Sequence, residues 1–295
     1  MASSPVTKRT ISLNLSNTVS VTTNLHQQQQ VLLLKYRQPN SCAGGYTHGN
    51  GDISKPFNRY KVMPPFSRSE APPELDDDHL APINGVIARL RGKLVSQISL
   101  PGNARGLRTL NLVRGYLQAH LRRMIMLVDG GHAEFIAGRP LMTEMASRAI
   151  YENVANYCDF SEKLKPLCDT ENYAAIDVLV RKSSFTARLP TLLSEGDAPV
   201  PSILGKIDKM NKRYADFRSA YDHLSEIVHP NGLGSIVYFA RMSQTELTFF
   251  DRAAVPERAI QSLISASFML LFVDYERIEI ESRLQHMEAN PPTEA

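Results

Sequence analysis

Hydrophobic residues along the chain change their spacing near residue 76. Beyond that point they recur every three or four positions in six segments, at about 80–98, 107–130, 140–159, 173–189, 207–228 and 256–287. This is the period of one buried face of an α-helix. Because none of these segments alternates as a strand does, the sequence predicts an all-α fold, a bundle of about six helices within residues 77–290.

The fifth segment has the most regular pattern. Its apolar positions alternate steps of three and four from Ile207 to Val228, which predicts one unbroken helix. The sixth segment is apolar almost all round between Leu263 and Val273, so its middle is expected in the core. We expect one core to hold residues of both segments, namely Phe217, Tyr221, Leu224, Phe268 and Leu271.

Residues 1–76 are polar and rich in turn-forming residues. A glutamine run at 27–30, four glycines between 44 and 51 and five prolines between 56 and 73 predict a largely disordered, low-complexity tail. Alternating apolar residues at 10–36 are typical of a small β-hairpin. The tail has no acidic residue before Asp52, which is also typical of an organellar transit peptide, so a targeting segment is the alternative.

The fifth segment ends in the polar sequence "SAYDHLSEIVHPNGLGS" at 219–235. Pro230 and the Asn-Gly pair after it favour a turn, so the helix is predicted to end near Val228. One step beyond the apolar positions, a second stripe runs about 100° around the helix from the buried face. Its members are Arg218, Asp222, Ser225 and His229. The stripe either lies in solvent or lines a cleft against another helix.

A second polar set lies on the third segment. Arg148, Glu152 and Asn156 are spaced four residues apart and therefore stack on one helical face. If this face meets the stripe of the fifth segment, the two helices form a polar cleft in which His229 lies near Glu152. The cleft would consist of Arg148, Glu152, Asn156, Tyr221, Ser225 and His229. It would be either a structural link between helices or a binding site.

These two motifs carry a resemblance to a known group of proteins. "SRAIYENVANY" at 147–157, combined with "YDHLSEIVHPNGLG" at 221–234, resembles uncharacterised bacterial helical proteins that look related to the HEPN superfamily of nucleotide- and RNA-associated domains. The likeness covers about residues 100–280 and rests on short motifs. It implies a HEPN-like helical bundle, and a role in bacterial stress or defence.

The resemblance also implies an enzymatic alternative. HEPN ribonucleases use an Arg-x(4–6)-His motif without a metal, and Arg218 and His223 have that spacing. Five residues on a continuous helix place two side chains about 140° apart, so both could meet one phosphate only across a dimer. Arg218, His223 and His229 are therefore the candidate catalytic residues, and whether the chain is an enzyme stays open.

Charge is distributed unevenly along the chain. Eight lysines and arginines and no acidic residue lie between His79 and Val128, whereas nine acidic residues face four arginines from Glu246 to the end. We expect a basic face that includes Arg105, Arg108, Arg114 and Arg122 and contacts RNA or another acidic partner. The alternative is that these helices pack beside the acidic last helix, within one chain or across a homodimer.

Other chemistry finds little support. The sequence contains no Walker loop, nucleophile elbow or paired-histidine metal motif, so no cofactor and no metal site are predicted. Three cysteines without a CxxC pair favour reduced thiols in a cytoplasmic protein, and no apolar run is long enough to cross a membrane. The sequence thus leaves two hypotheses: a non-catalytic interaction or nucleic-acid-associated module, or a metal-independent ribonuclease.

Overall fold

The computed structural model describes residues 66–73, 75–101, 105–184, 202–230, 234–235, 238–243, 245–249 and 256–290. All of them belong to one compact unit, residues 52–295. The hairpin predicted at 10–36, and the predicted tail as far as residue 65, lie outside the described residues.

The described residues form eight helices and one short hairpin, so the predicted predominantly helical fold is confirmed. In chain order the elements are α1 (Asp77–Arg91), α2 (Arg105–Ile136), α3 (Pro140–Asp169), α4 (Tyr173–Ser184), α5 (Ile203–Arg213), α6 (Phe217–Val228), β1 (Ala240–Met242), β2 (Leu247–Phe249), α7 (Pro256–Phe268) and α8 (Leu270–Ala289).

Helix α3 is the centre of the bundle, because α2, α4, α5, α6, α7 and α8 all pack against it. Its central turns are buried on several sides, as Ile150, Val154 and Tyr157 show. Close approach at one point depends on a glycine: a Cβ atom on Gly131 of α2 would lie 3.0 Å from both Ala146 of α3 and Leu263 of α7. Three helices therefore pack closely at Gly131, and a larger residue there would force them apart.

Two predicted helices are in fact pairs of helices. The fifth segment breaks between α5 and α6, where Tyr214 is extended and Asp216 has a left-handed φ of 71°. The sixth breaks at Met269, between α7 and α8. In the opposite direction, α2 continues through Gly130 and Gly131 to Ile136. The prediction of about six helices was therefore wrong in number.

The first helix begins earlier than its apolar pattern predicts. Asp76 is the N-cap of α1, and its side chain accepts a 3.0 Å hydrogen bond from the His79 amide. This bond satisfies one of the free amide groups of the first turn. Pro82 consequently lies inside the helix. The helix also ends at Arg91, well before Ile98.

The hairpin of β1 and β2 was not predicted. Its two strands are antiparallel, with Arg241 opposite Thr248, and each has only three residues. All residues of β2 are exposed. Strands this short, without a buried face, show no alternation from which they could be recognised.

Part of the stretch predicted as tail packs on the helices. Phe66 and Leu75 are buried, and the Asn84 side chain of α1 donates a 2.9 Å hydrogen bond to the Phe66 carbonyl. Glu70 lies 3.2 Å from the buried ring of His132 on α2. Phe66, Glu70 and Leu75, which lie before the predicted domain boundary, thus pack with the helices.

The predicted core of the fifth and sixth segments is largely confirmed. Phe217, Tyr221, Leu224 and Phe268 are all buried, whereas Leu271 is only partly so. Met145 of α3 is 43% exposed, although it is one of the apolar positions of the third segment. None of the described helices has the length and apolar character that crossing a bilayer requires.

Candidate functional site

A groove runs along the exposed side of α2. It has a volume of about 490 Å³, and the end of α4 and the stretch before α2 complete its walls. Its lining is mainly apolar with a few polar groups, which is typical of ligand sites. The lining residues are Ile98, Leu100, Asn111, Leu112, Gly115, Tyr116, Ala119, His120, Ser183 and Ser184.

His120 is the groove's most specifically held polar residue. Its Nδ1 lies 2.5 Å from the Asn153 side-chain oxygen of α3, so this nitrogen carries the hydrogen and Nε2 keeps its lone pair. Burial lowers the pKa of His120 against the opposing effect of the Asn153 bond, and Arg123 and Lys206 lower it further. The imidazole is therefore neutral near pH 7 and offers the groove a hydrogen-bond acceptor.

Tyr116 supports the His120 ring. The ring centroids of Tyr116 and His120 are 4.6 Å apart, and Phe160 lies 4.4 Å from Tyr116 on α3. Burial, followed by the charge of Asp159, raises the pKa of Tyr116 to about 12, so the phenol stays protonated. The sequence analysis missed His120, Asn153 and Tyr116, because no local motif marks them.

The four arginines of the predicted basic face have different environments. Arg114 binds Glu281 and Glu288 of α8 at 3.1 and 2.8 Å, and Arg122 donates to the Val95 carbonyl. Arg108 is exposed and has no hydrogen-bond or ion-pair partner within the described part of the chain. Of Arg105 only the backbone is described. Packing of basic helices beside the acidic last helix, the alternative reading, is thus correct for Arg114.

Two further arginines complete this picture. Arg89 of α1 donates a 2.9 Å hydrogen bond to the buried carboxylate of Asp274 on α8. Arg123 of α2, by contrast, is exposed and unpaired in the described ranges. Within the part of the chain that the structure describes, Arg108 and Arg123 therefore remain unpaired, one before and one after the groove-lining turns of α2.

Three residues of the predicted polar cleft do meet. The Tyr221 hydroxyl of α6 lies 3.0 Å from the Glu152 carboxylate and 3.3 Å from the Arg148 guanidinium, both on α3. Arg148 and Glu152 are themselves 3.3 Å apart, and the arginine also stacks over the Tyr221 ring. These contacts tie α6 to α3. Asn156 points elsewhere on α3, where its oxygen accepts a 2.7 Å hydrogen bond from Lys206 of α5.

Ser225 and His229 do not join this group. The Ser225 hydroxyl donates to the Tyr221 carbonyl in its own helix, at 2.9 Å. His229 is the C-cap of α6, as its position before Pro230 predicts, and its side chain is exposed. No ion pair joins it to Glu152 among the described residues, so the expected His229–Glu152 contact is not formed. The contact is absent because the His229 side chain lies exposed at the end of the helix.

Arg218 and His223 lie apart on α6. Arg218 binds Asp222 at 2.7 Å and Asp208 at 2.6 Å, which leaves its guanidinium occupied by two carboxylates. The His223 ring instead accepts from Arg258 of α7. Burial, and then the charge of Arg258, lower the pKa of His223 to about 4. One chain therefore does not bring the predicted catalytic pair together.

A buried carboxyl group lies within the electrostatic range of Arg258. Glu144 of α3 is 0% exposed, and in the described part of the chain neither of its carboxyl oxygens forms a hydrogen bond of good geometry, although the Ser262 hydroxyl of α7 interacts with it weakly. The Tyr238 hydroxyl is also buried without a partner there. No pattern in the sequence singles out Glu144, because a glutamate in the second turn of a helix is usually exposed.

Neither metal-ligand clusters nor known proteins help to interpret the described part of the chain. Within the described residues, no three His, Cys, Asp or Glu side chains form a group that could hold a metal ion. No family model, curated protein or solved structure matches the chain. The HEPN resemblance therefore rests on the short motifs alone.

Proposed function

We propose that this chain is a non-catalytic helical module that binds RNA on the exposed side of α2. The observation that carries the proposal is the groove, which lies between Arg108 and Arg123, two arginines that have no hydrogen-bond or ion-pair partner among the described residues. A relationship to the HEPN superfamily, with a role in bacterial stress or defence, is part of the proposal and is supported by the motifs of α3 and α6.

The arrangement of α2 suits a single strand. Arg108, Leu112, Gly115 and Ala119 are spaced by four, three and four residues and so share one helical face. Arg108 and Arg123 are 15 residues apart, which corresponds to about 22 Å along the helix. Two such cations can contact phosphates while the groove between them holds a nucleotide, and His120 accepts a hydrogen bond from a hydroxyl or amino group.

The environments of the predicted catalytic residues support a non-catalytic module. Arg218 is held by two carboxylates and His223 by Arg258, so neither is available to a phosphate in one chain. The alternative, a metal-independent ribonuclease, requires two copies that bring these residues together. Dimerisation stays a prediction, and light scattering of the purified chain measures it.

The proposal is tested by the salt dependence of RNA binding. Binding of a fluorescein-labelled single-stranded RNA is measured by anisotropy at several salt concentrations for the full chain and for Arg108→Gln combined with Arg123→Gln. Each phosphate contact contributes about 0.7 to the slope of log K against log salt. We expect the double variant to lower the slope by about 1.4 and to weaken binding about tenfold at low salt.

Arg139→Gln is the matched control. Arg139 is an exposed arginine just beyond the C-terminal end of α2, at the N-cap of α3, and it pairs with Glu134. It should leave RNA affinity unchanged. Equal weakening by the control, or no RNA binding at all, would refute the proposal. If the RNA is instead cleaved, and His223→Ala stops the cleavage, the ribonuclease alternative is correct.

A further inference from the structure

The environment of Glu144 is unusual for a carboxylate. Its side chain is fully buried, and within the described residues neither of its oxygens forms a hydrogen bond of good geometry or an ion pair; the Ser262 hydroxyl of α7 interacts with it only weakly. Leaving an ionised carboxylate there without a charged partner would cost several kcal/mol. A neutral carboxyl group tolerates the same environment far better. The geometry therefore indicates that Glu144 carries a proton in this structure.

The charge that acts on Glu144 belongs to an arginine that is bound elsewhere. Arg258 of α7 donates to the His223 ring of α6, and it forms no ion pair with a carboxylate in the described ranges. Arginine normally binds carboxylates when partly buried, because two parallel hydrogen bonds form. Its contact with a neutral imidazole is consistent with a neutral Glu144.

The titration of these groups agrees with that arrangement. Burial raises the pKa of Glu144 to about 7, while the Ser262 hydroxyl and the Arg258 charge act in the opposite direction. The pKa of His223 is about 4, so this ring is neutral throughout the range in which Glu144 titrates. Only the carboxyl group of the three changes its charge near neutral pH.

We propose that Glu144, Arg258 and His223 form a proton-controlled switch, in which Arg258 donates to His223 while Glu144 is neutral and moves to Glu144 when the carboxyl loses its proton. A new buried anion requires a cation, and Arg258 is the charged group whose field reaches Glu144. When Arg258 moves to Glu144, α6 loses its contact with this arginine. Loss of a proton on α3 is thereby converted into a weaker connection between α6 and α7.

The other groups around Glu144 are uncharged near neutral pH, so Arg258 is the group that changes its partner. On the segment before β1, burial and then the charge of Glu144 raise the pKa of Tyr238 far above neutral, against the opposing effect of Arg258. On α3 itself, the neighbouring Thr143 hydroxyl donates a 3.0 Å bond to the Gly131 carbonyl of α2, so α2 presents backbone at this turn. On α7, Ser262 is uncharged.

The switch is tested by following the His223 ring by NMR as the pH is raised from 5 to 9. Assignment comes from His223→Gln. We expect the ring resonances to show an inflection near pH 7, although the ring itself does not titrate there, because Arg258 leaves it. Glu144→Gln keeps the shape but cannot ionise, and should remove the inflection. Glu162→Gln, a half-exposed glutamate on the same helix, should retain it.

Arg258→Gln is an independent test of the switch, because it removes the group that is proposed to move. It should also abolish the inflection. A His223 signal without an inflection near neutral pH in the unmodified chain would overturn the proposal. An inflection that persists in Glu144→Gln or in Arg258→Gln would overturn it as well. The experiment uses no RNA, so its outcome is separate from that of the RNA-binding proposal.

Discussion

The Tyr221 hydroxyl donates a 3.0 Å hydrogen bond to the Glu152 carboxylate and accepts a 3.3 Å hydrogen bond from Arg148. One phenol of α6 thus satisfies two charged groups of α3. Glu152 is 31% and Arg148 25% exposed at the side chain, so solvent only partly replaces the phenol if it is removed. These contacts join α6 to α3, as expected for the structural one of the two roles that the sequence allowed.

Tyr221→Phe should therefore destabilise the fold. The loss of a hydrogen bond to a charged group corresponds to about 2 kcal/mol, and urea unfolding measures it. Tyr238→Phe is the matched control. Its hydroxyl is buried without a hydrogen-bond partner in the described chain, so removing it should leave stability unchanged or raise it. Equal losses in the two variants would contradict the assignment of these hydroxyls.

Glu144→Gln should change how stability depends on pH. Burial raises the pKa of Glu144 from 4.5 to about 7, so the folded state binds this proton more tightly than the unfolded state. The resulting stabilisation is complete below pH 4.5 and is lost as pH rises to about 7. The difference corresponds to about 3 kcal/mol.

The measurement for this prediction is urea unfolding at pH 5 and pH 8. The unmodified chain should lose more stability than Glu144→Gln over this interval, and the variant should be the more stable protein at pH 8. Glu162→Gln should follow the unmodified chain. Parallel curves for the unmodified chain and Glu144→Gln would show that Glu144 is not the titrating group.

Arg213→Met should be strongly destabilising. Glu276 of α8 is 1% exposed, and its carboxylate lies 2.9 Å from Arg213 and 2.7 Å from Lys165. Removing one partner of a buried ion pair costs about 3 kcal/mol or more, and the remaining Lys165 keeps the loss near the lower value. Lys212→Met, at the exposed neighbouring position, should change stability little. A similar loss in both variants would contradict a role for the buried pair.

Phe217→Ala should strongly destabilise the fold, because Phe217 belongs to the core beneath α6. Phe217 is 0% exposed and packs edge to face on Tyr151, with ring centroids 4.9 Å apart. Truncation of a buried phenylalanine costs about 3–5 kcal/mol. Phe249→Ala, at a side chain that is 69% exposed on β2, should cost about 0.5 kcal/mol or less. Thermal unfolding of the two variants measures the difference.

Helical periodicity predicted where the helices lie but not where they break. The apolar series passes through Met210, Tyr214 and Phe217 in steps of four and three, and all three side chains are buried. The break at Asp216 keeps these residues in the core, so the spacing carries no sign of it. The break at Met269 could not be predicted for the same reason, because the residues on both sides of it are apolar and buried.

The candidate sites show a similar division. Arg148, Glu152 and Tyr221 could be paired from sequence, since each lies beside a strongly apolar helical face. His120 and Asn153, 33 residues apart on different helices, could not, because their contact depends on how α2 crosses α3. Glu144 and Arg258 depend in the same way on the packing of α7. Local spacing fixes the faces of helices, whereas tertiary packing decides which polar groups meet.

The central position of α3 has a consequence for the order in which the chain can fold. Two of the helices that cover α3 are α7 and α8, which are the last described helices of the chain. Arg89 meets Asp274 across 185 residues of sequence, so α1 too depends on α8 for a partner. Contacts this distant in sequence slow folding. During synthesis, the core around α1 to α6 therefore stays incomplete until α7 and α8 have emerged from the ribosome.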